Sequence, residues 1–255
     1  MRFHKLTAVC CMFAAGLIAA TATNAQSFTG FYVGGNGGAL LGRYSSDTST
    51  VFSNTGYFAS TSVTDIAVVG AQKVPSTNFV GGGQGGFNLQ LHGLVVGVEG
   101  EFGYLGLNES KTSGDTYPCC APTSYSIVQT VKSDWNLGVR PRVGLVKMHT
   151  LIYGTGGLAV TNLNENEVFT DTFASALETG SAKKNVMGWS AGGGLEFHFA
   201  KHLSARGEFL FNDFGKVTAT STNLNAEGET WPTNVFTQVA HAKAQFVRVG
   251  VNYWF

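Results

Sequence analysis

Four glutamates and four arginines stand in segments otherwise built from small and apolar residues: Glu99 and Glu101, Arg140 and Arg142, Glu196, Arg206 and Glu208, and Arg248. Residues two apart on a β-strand share a face, so Glu99 with Glu101 and Arg140 with Arg142 each present two like charges to one side. Such a set does not resemble acid–base machinery. The planar guanidinium holds a carboxylate through two hydrogen bonds, and equal numbers of each sign predict a closed ion-pair network. Hydrolase residue types occur in His202-Leu203-Ser204 with Glu208 beyond. Here the histidine falls in a tight turn, while Ser204 and Glu208 take the same side as the arginines, away from any lipid substrate. His241 has no serine and acid at diagnostic spacing. His92, His149 and His202 belong to three separate turns and are expected to bind no metal. Catalytic residues and cofactors are expected to be absent. Cys119 and Cys120 are adjacent, with Cα atoms about 3.8 Å apart, below the usual disulfide range. Two thiols or a strained vicinal bond in an exposed loop are the expectation.

The elements that must hold these residues are strands. Eight segments, about 30–42, 77–90, 94–107, 132–146, 150–161, 186–199, 203–215 and 242–255, alternate apolar residues with polar or small ones. Leu94, Val96, Val98, Phe102 and Tyr104 oppose Glu99 and Glu101. Trp135, Leu137, Val139, Pro141, Val143 and Leu145 oppose Asp134, Asn136, Arg140 and Arg142. In 30–42 and 150–161 glycine blurs the period. Three connections are tight, at 91–93, 147–149 and 200–202. Four are long and rich in Ser, Thr, Asn and Gly, at about 43–76, 108–131, 162–185 and 216–241. Strict alternation of short and long connections is what an up-and-down barrel of eight strands predicts, with short periplasmic turns, long extracellular loops and both termini periplasmic. The third long segment, with Glu165, Glu167, Asp171 and Glu178 against Lys183 and Lys184, reads as a mildly acidic solvated loop.

A soluble barrel would turn its apolar face inward; here charge is concentrated on the other face. Tyr104, Trp135, Tyr153, Trp189, Phe211, Tyr253 and Trp254 lie near segment ends, as an interfacial girdle requires. The last strand puts Val247, Val249, Val251, Tyr253 and Phe255 on one face and Arg248, Gly250 and Asn252 on the other, so Arg248 is expected to meet a glutamate in the lumen. Arg2, His4 and Lys5, the apolar run 6–20 and the small residues before Gln26 read as a secretory signal peptide. The expected organisation is therefore residues 1–25 as signal peptide and 26–255 as one barrel domain. Without residues 1–25, fourteen basic residues face sixteen acidic ones, a balance that gives no reason to expect a nucleic-acid partner.

Phe28–Gly38 (FTGFYVGGNGG) resembles the opening strand of the small outer-membrane immunogenic, porin-like proteins of alpha-proteobacteria, and Arg248–Phe255 (RVGVNYWF) their last strand. Leu151–Val160 and Trp189–Phe197 match in character. The resemblance implies an eight-stranded outer-membrane barrel, similar to the transmembrane domain of outer membrane protein A, with structural or surface-antigen roles and no catalytic residues. It also implies that Val251, Tyr253 and Phe255 form the signal read by the barrel-insertion machinery. Expected partners are outer-membrane lipid and lipopolysaccharide, that machinery, and a host or cell-surface ligand at the loops. The expected function is a structural, surface-exposed barrel plugged by ion pairs. The alternatives are a narrow channel gated by the lumen Glu/Arg pairs, with His198 as a pH-sensitive element, and an adhesin acting through the loops.

Overall fold

A computed structural model describes residues 27–255; the expected signal peptide lies outside them. The elements in order are β1 (Gly30–Thr50), α1 (Ser60–Val69), β2 (Gln72–Leu91), β3 (Leu94–Thr116), β4 (Ser124–Lys147), β5 (Thr150–Asp171), β6 (Leu177–Ala200), β7 (Leu203–Ser221), the two-residue strands β8 (Asn225–Ala226) and β9 (Glu229–Thr230), and β10 (Phe236–Trp254). Strands β1 to β7 and β10 pair antiparallel in sequence order. The ring closes where β1 meets β10, in register from Tyr32–Trp254 to Thr50–Phe236. Closure leaves no open sheet edge, which is what allows strands to cross a membrane. No helix among the described residues is long and apolar enough to cross one.

Outward positions carry the apolar belt: Phe31, Phe79, Val98, Phe102, Leu137, Val143, Ile152, Leu195, Phe209 and Val249 are all exposed. The tight turns join Leu91 to Leu94, Lys147 to Thr150 and Ala200 to Leu203, as expected. At the other end the strands run far past the belt. The 24 residues of β4 rise about 3.3 Å each and, tilted about 40°, stand about 60 Å tall, against an apolar band about 25 Å tall. Much of what reads as four long loops is therefore barrel wall. Thr116 still pairs with Ser124 and Thr170 with Leu177, so two of the four expected long loops are short hairpin connections. Residues 51–71, which contain α1, and 222–235, which contain β8 and β9, remain as larger connections.

Three expectations change with this geometry. Glu165, Glu167 and Glu178 do not lie in a solvated loop; they are buried inside the extended wall, and Asp171 accepts hydrogen bonds from the Tyr57 and Tyr117 hydroxyls. Tyr153 and Trp254 are buried in the lumen and do not belong to the girdle, because they share the inward parity of Leu151 and Asn252. Asp134 faces outward, because the β4–β5 register shifts between Lys132 and Asn136.

The lumen is filled in layers, whose order follows from the inward residues met along β10, β4 and β5. At the turn end Phe28, Tyr32, Val95, Leu151, Tyr153 and Trp254 cluster. The charged residues come next. Above them lies an apolar layer that includes Leu40, Leu105, Leu163, Leu210, Phe214 and Phe246. A polar layer with Ser46, Thr48, Gln129, Glu165, Glu167 and Gln238 follows. At the loop end α1 closes the barrel, with Ile66 packed among Phe58, Ile127, Phe169, Leu224 and Phe236.

Candidate functional site in the barrel lumen

The pleat of β3 turns Glu99 and Glu101 inward, and register sets Glu99 directly opposite Arg140 on β4. Across the ring, Glu208 on β7 lies opposite Arg248 on β10. All eight expected residues are under 10 % exposed and join in one network. Arg140 lies 3.1 Å from Glu99 and 2.9 Å from Glu101. Arg142 lies 3.4 Å from Glu99 and 2.7 Å from Glu196. Arg206 pairs with Glu99 and, at 3.2 Å, with Glu208. Arg248 pairs with Glu101 and, at 2.9 Å, with Glu208. Glu99–Arg206 and Glu101–Arg248 span the lumen between non-adjacent strands, tying opposite walls together.

One partner differs from the simplest sequence reading. Glu196 is opposite Arg206 in register, yet its cation is Arg142, reached across the lumen. The guanidinium of Arg206 is engaged by Glu99 and Glu208 instead.

Neutral groups add to the network, while Arg140 Nε and Nη1, Arg206 Nε and Glu208 Oε1 are buried without a hydrogen-bond partner. The Tyr32 hydroxyl donates to Glu99 at 2.7 Å and accepts from Arg142 at 3.0 Å. Ser204 Oγ and Asn252 Nδ2 donate to Glu196 at 2.6 and 2.8 Å; Asn136 donates to Glu101 at 3.1 Å. The Arg142 guanidinium also lies over the rings of Tyr153 and Tyr32, 4.5 and 5.2 Å from their centres, where the ring quadrupole attracts a cation. Gly34 permits this crowding: a Cβ there would stand 2.2 Å from Asn252 Oδ1 and 2.3 Å from the Val251 carbonyl oxygen. Tyr32 and Tyr153 were not legible as site residues, because glycine hides the period in their segments. Asn252 was, since it shares the parity of Arg248.

The remaining candidates have definite places. His198 packs between Phe28 and Trp254, ring centres 4.4 and 5.3 Å away, in the aromatic layer below the ion pairs. Ser204 Oγ donates to Glu196 and accepts from Trp254 Nε1, while His202 Nδ1 contacts the Trp254 carbonyl oxygen at 2.8 Å; the two side chains are not brought together as a nucleophile and its base. Val251, Tyr253 and Phe255 all face outward. Cys119 and Cys120 are joined as a vicinal disulfide. Among the described residues no three His, Cys, Asp or Glu side chains come together to hold a metal ion.

Comparison with known proteins places the chain in a family. The family model described as outer membrane protein beta-barrel domain matches residues 9–255. The 31 kDa outer-membrane immunogenic protein of Brucella melitensis is 31 % identical over 233 residues, covering 90 % of this chain and 84 % of that one. The 22 kDa outer membrane protein of Rhizobium leguminosarum is 26 % identical, covering 74 % and 66 % respectively. Among solved structures, Neisserial surface protein A aligns with a TM-score of 0.36 and 10 % identity, covering 89 % of this chain and 98 % of that one. The chain belongs to the outer-membrane β-barrel family that includes these alpha-proteobacterial proteins and is an integral protein of the outer membrane.

Proposed function

We propose that this protein is a structural, surface-presenting barrel whose lumen is plugged by the Glu/Arg network, with the tight turns periplasmic and the α1 end outside the cell. The observation that carries this reading is the mutual closure of Glu99, Glu101, Glu196 and Glu208 with Arg140, Arg142, Arg206 and Arg248 inside the barrel. Unpaired charge there is very unfavourable, so the set is held as a unit. An eight-stranded ring leaves an interior just wide enough for its own side chains. The apolar layer above and the aromatic layer below add two further seals. A gated narrow channel would have to part all three layers at once, and His198 sits in the lowest of them. Recordings of the purified protein in planar bilayers test the plug: no unitary conductance is expected, and a steady one rejects it.

Val251, Tyr253 and Phe255 are proposed as the strand signature read during insertion, and lipopolysaccharide as the lipid around the outer belt. An adhesive role of the loops draws on a different observation. Phe52, Val68 and Phe173 are exposed beyond the barrel wall. Loss of cell binding on replacing residues 51–71 and 222–235 tests it. No catalytic role is proposed: the relatives of this chain are named as outer-membrane and immunogenic proteins.

A further inference from the structure

The polar layer between the upper apolar layer and the α1 cap has an unusual hydrogen-bond balance. Ser46 Oγ donates to Glu165 Oε1 at 2.9 Å, Thr48 Oγ1 donates to Glu167 Oε2, and Ser221 Oγ donates to Glu178 Oε1. Each hydroxyl spends its proton on one carboxyl oxygen. The other oxygens, Glu165 Oε2, Glu167 Oε1 and Glu178 Oε2, are buried without a partner, and so are Gln129 Oε1 and Gln238 Oε1. Gln129 and Gln238 are 3 % and 0 % exposed, and both belong to the layer. Gln129 Nε2 donates to Thr48 Oγ1 at 2.8 Å, and Gln238 Nε2 donates to Ser221 Oγ at 3.3 Å. Every one of these bare atoms is an acceptor. The Thr50 and Ser113 hydroxyls nearby are also bare and donate to none of these five; what these acceptors lack is a donor in reach, and a protonated carboxyl supplies one.

Other means of neutralising three buried acids fail on this geometry. Among the described residues none of the three forms an ion pair, and no three acids converge on a metal position. Lys111 on β3 is opposite Gln129 in register and half-buried, but pairs with none of them. Arg43, Lys73, Lys132, Lys183, Lys184, Lys216 and Lys243 are exposed, and none of them pairs with the three acids. The remaining titratable neighbours add no positive charge: Tyr44 and Asp47 on β1, Glu109 on β3, Asp171 on β5, Asp65 on α1. A buried carboxylate without a cation is strongly disfavoured against its neutral form.

The layer is wired to the cap. Gln129 Nε2 also donates to the Gly70 carbonyl oxygen at 2.9 Å, and the Thr48 amide donates to the same oxygen at 3.2 Å. Gly70 is the residue that ends α1. We propose that Glu165, Glu167 and Glu178 form a proton-loaded layer that locks α1 onto the barrel and releases it when the carboxyls ionise. Each loading step moves one proton from water to a bare carboxyl oxygen, and no covalent bond in the chain changes. Burial, reinforced by the charges of Glu178 and Glu165, pushes the Glu167 carboxyl up to about 8; burial also raises Glu165 and Glu178. This device is independent of whether the lumen conducts.

The test uses the full-length protein in lipid nanodiscs, with Glu165→Gln/Glu167→Gln/Glu178→Gln as the comparison. Amide exchange in Ser60–Val69 is measured for both at the same pH, so that intrinsic rates cancel. The two are expected to agree near pH 6, and the wild type to exchange at least about tenfold faster near pH 10. Equal exchange at both values overturns the proposal. Infrared spectra supply a readout that survives misfolding of the triple variant. The wild type is expected to show a protonated-carboxyl carbonyl band near pH 6 that fades as the pH is raised, with the part lost in Glu167→Gln fading through about pH 8. Absence of the band, or its removal near pH 6 by added calcium or magnesium, also overturns it.

Discussion

Replacing Arg142 by methionine isolates the energetics of the lumen network. Arg142 is the cation paired with Glu196 among the described residues, at 2.7 Å, whereas Glu99, its other carboxylate, keeps Arg140 and Arg206. The substitution therefore leaves Glu196, fully buried, with only the neutral donors Ser204 and Asn252. Breaking a buried ion pair from one side typically costs about 3–5 kcal/mol. Loss of the guanidinium over Tyr153 and Tyr32 contributes about 1–2 kcal/mol of this. Adding Glu196→Gln removes the orphaned charge while keeping an acceptor for Ser204 and Asn252, so the double variant should recover about 2–3 kcal/mol of the loss. Urea unfolding of the barrel in lipid bilayers, followed by the gel shift between folded and heat-denatured protein, measures all three. A double variant no more stable than Arg142→Met refutes the claim that Glu196 is held in place by that arginine.

Other variants probe the remaining parts. Gly34→Val drives a side chain into Asn252 and the β10 backbone and should abolish the folded gel species, since overpacking on backbone has no rotamer escape. The Glu167 carboxyl rises from an ordinary 4.5 to about 8 through burial. As pH rises the unfolded chain loses this proton first, so stability is full below about 4.5 and falls until about 8. Glu167→Gln should flatten that decline and stabilise the protein above pH 8 by a few kcal/mol; unfolding midpoints across pH check it. Phe255→Ala trims the exposed aromatic that directly follows β10. It should lower the yield of inserted protein in cells several-fold while leaving refolding into detergent near wild type, a comparison of two yields.

The eight lumen charges were legible because strict alternation survives around them: Val98-Glu99-Gly100-Glu101-Phe102 and Val139-Arg140-Pro141-Arg142-Val143 allow only one choice of face. Which glutamate holds which arginine was not, since Glu196–Arg142 depends on reach across the ring, not on register. The length of the wall is hidden in the sequence for a different reason. Asn164-Glu165-Asn166-Glu167-Val168-Phe169 alternates with period 2, but both faces are polar over much of it, and polarity reads as a loop. Beyond the belt the outer face meets water, not lipid, so the apolar signal of a membrane strand is lost although the ladder continues. The sequence alone does not place Tyr153 and Trp254, because an aromatic near a segment end suits either an interface or a lumen plug. Inward parity with Leu151 and Asn252 decides between them.

The central claim, that the barrel is a sealed structural body, is tested most directly by current across a planar bilayer holding purified, folded, full-length protein. The network and the two apolar layers predict a flat trace at physiological salt, with no unitary steps at either polarity. Reproducible steps from the wild type, which shift in size when Glu99 or Arg140 is made neutral, would show ions passing through the network and contradict the account.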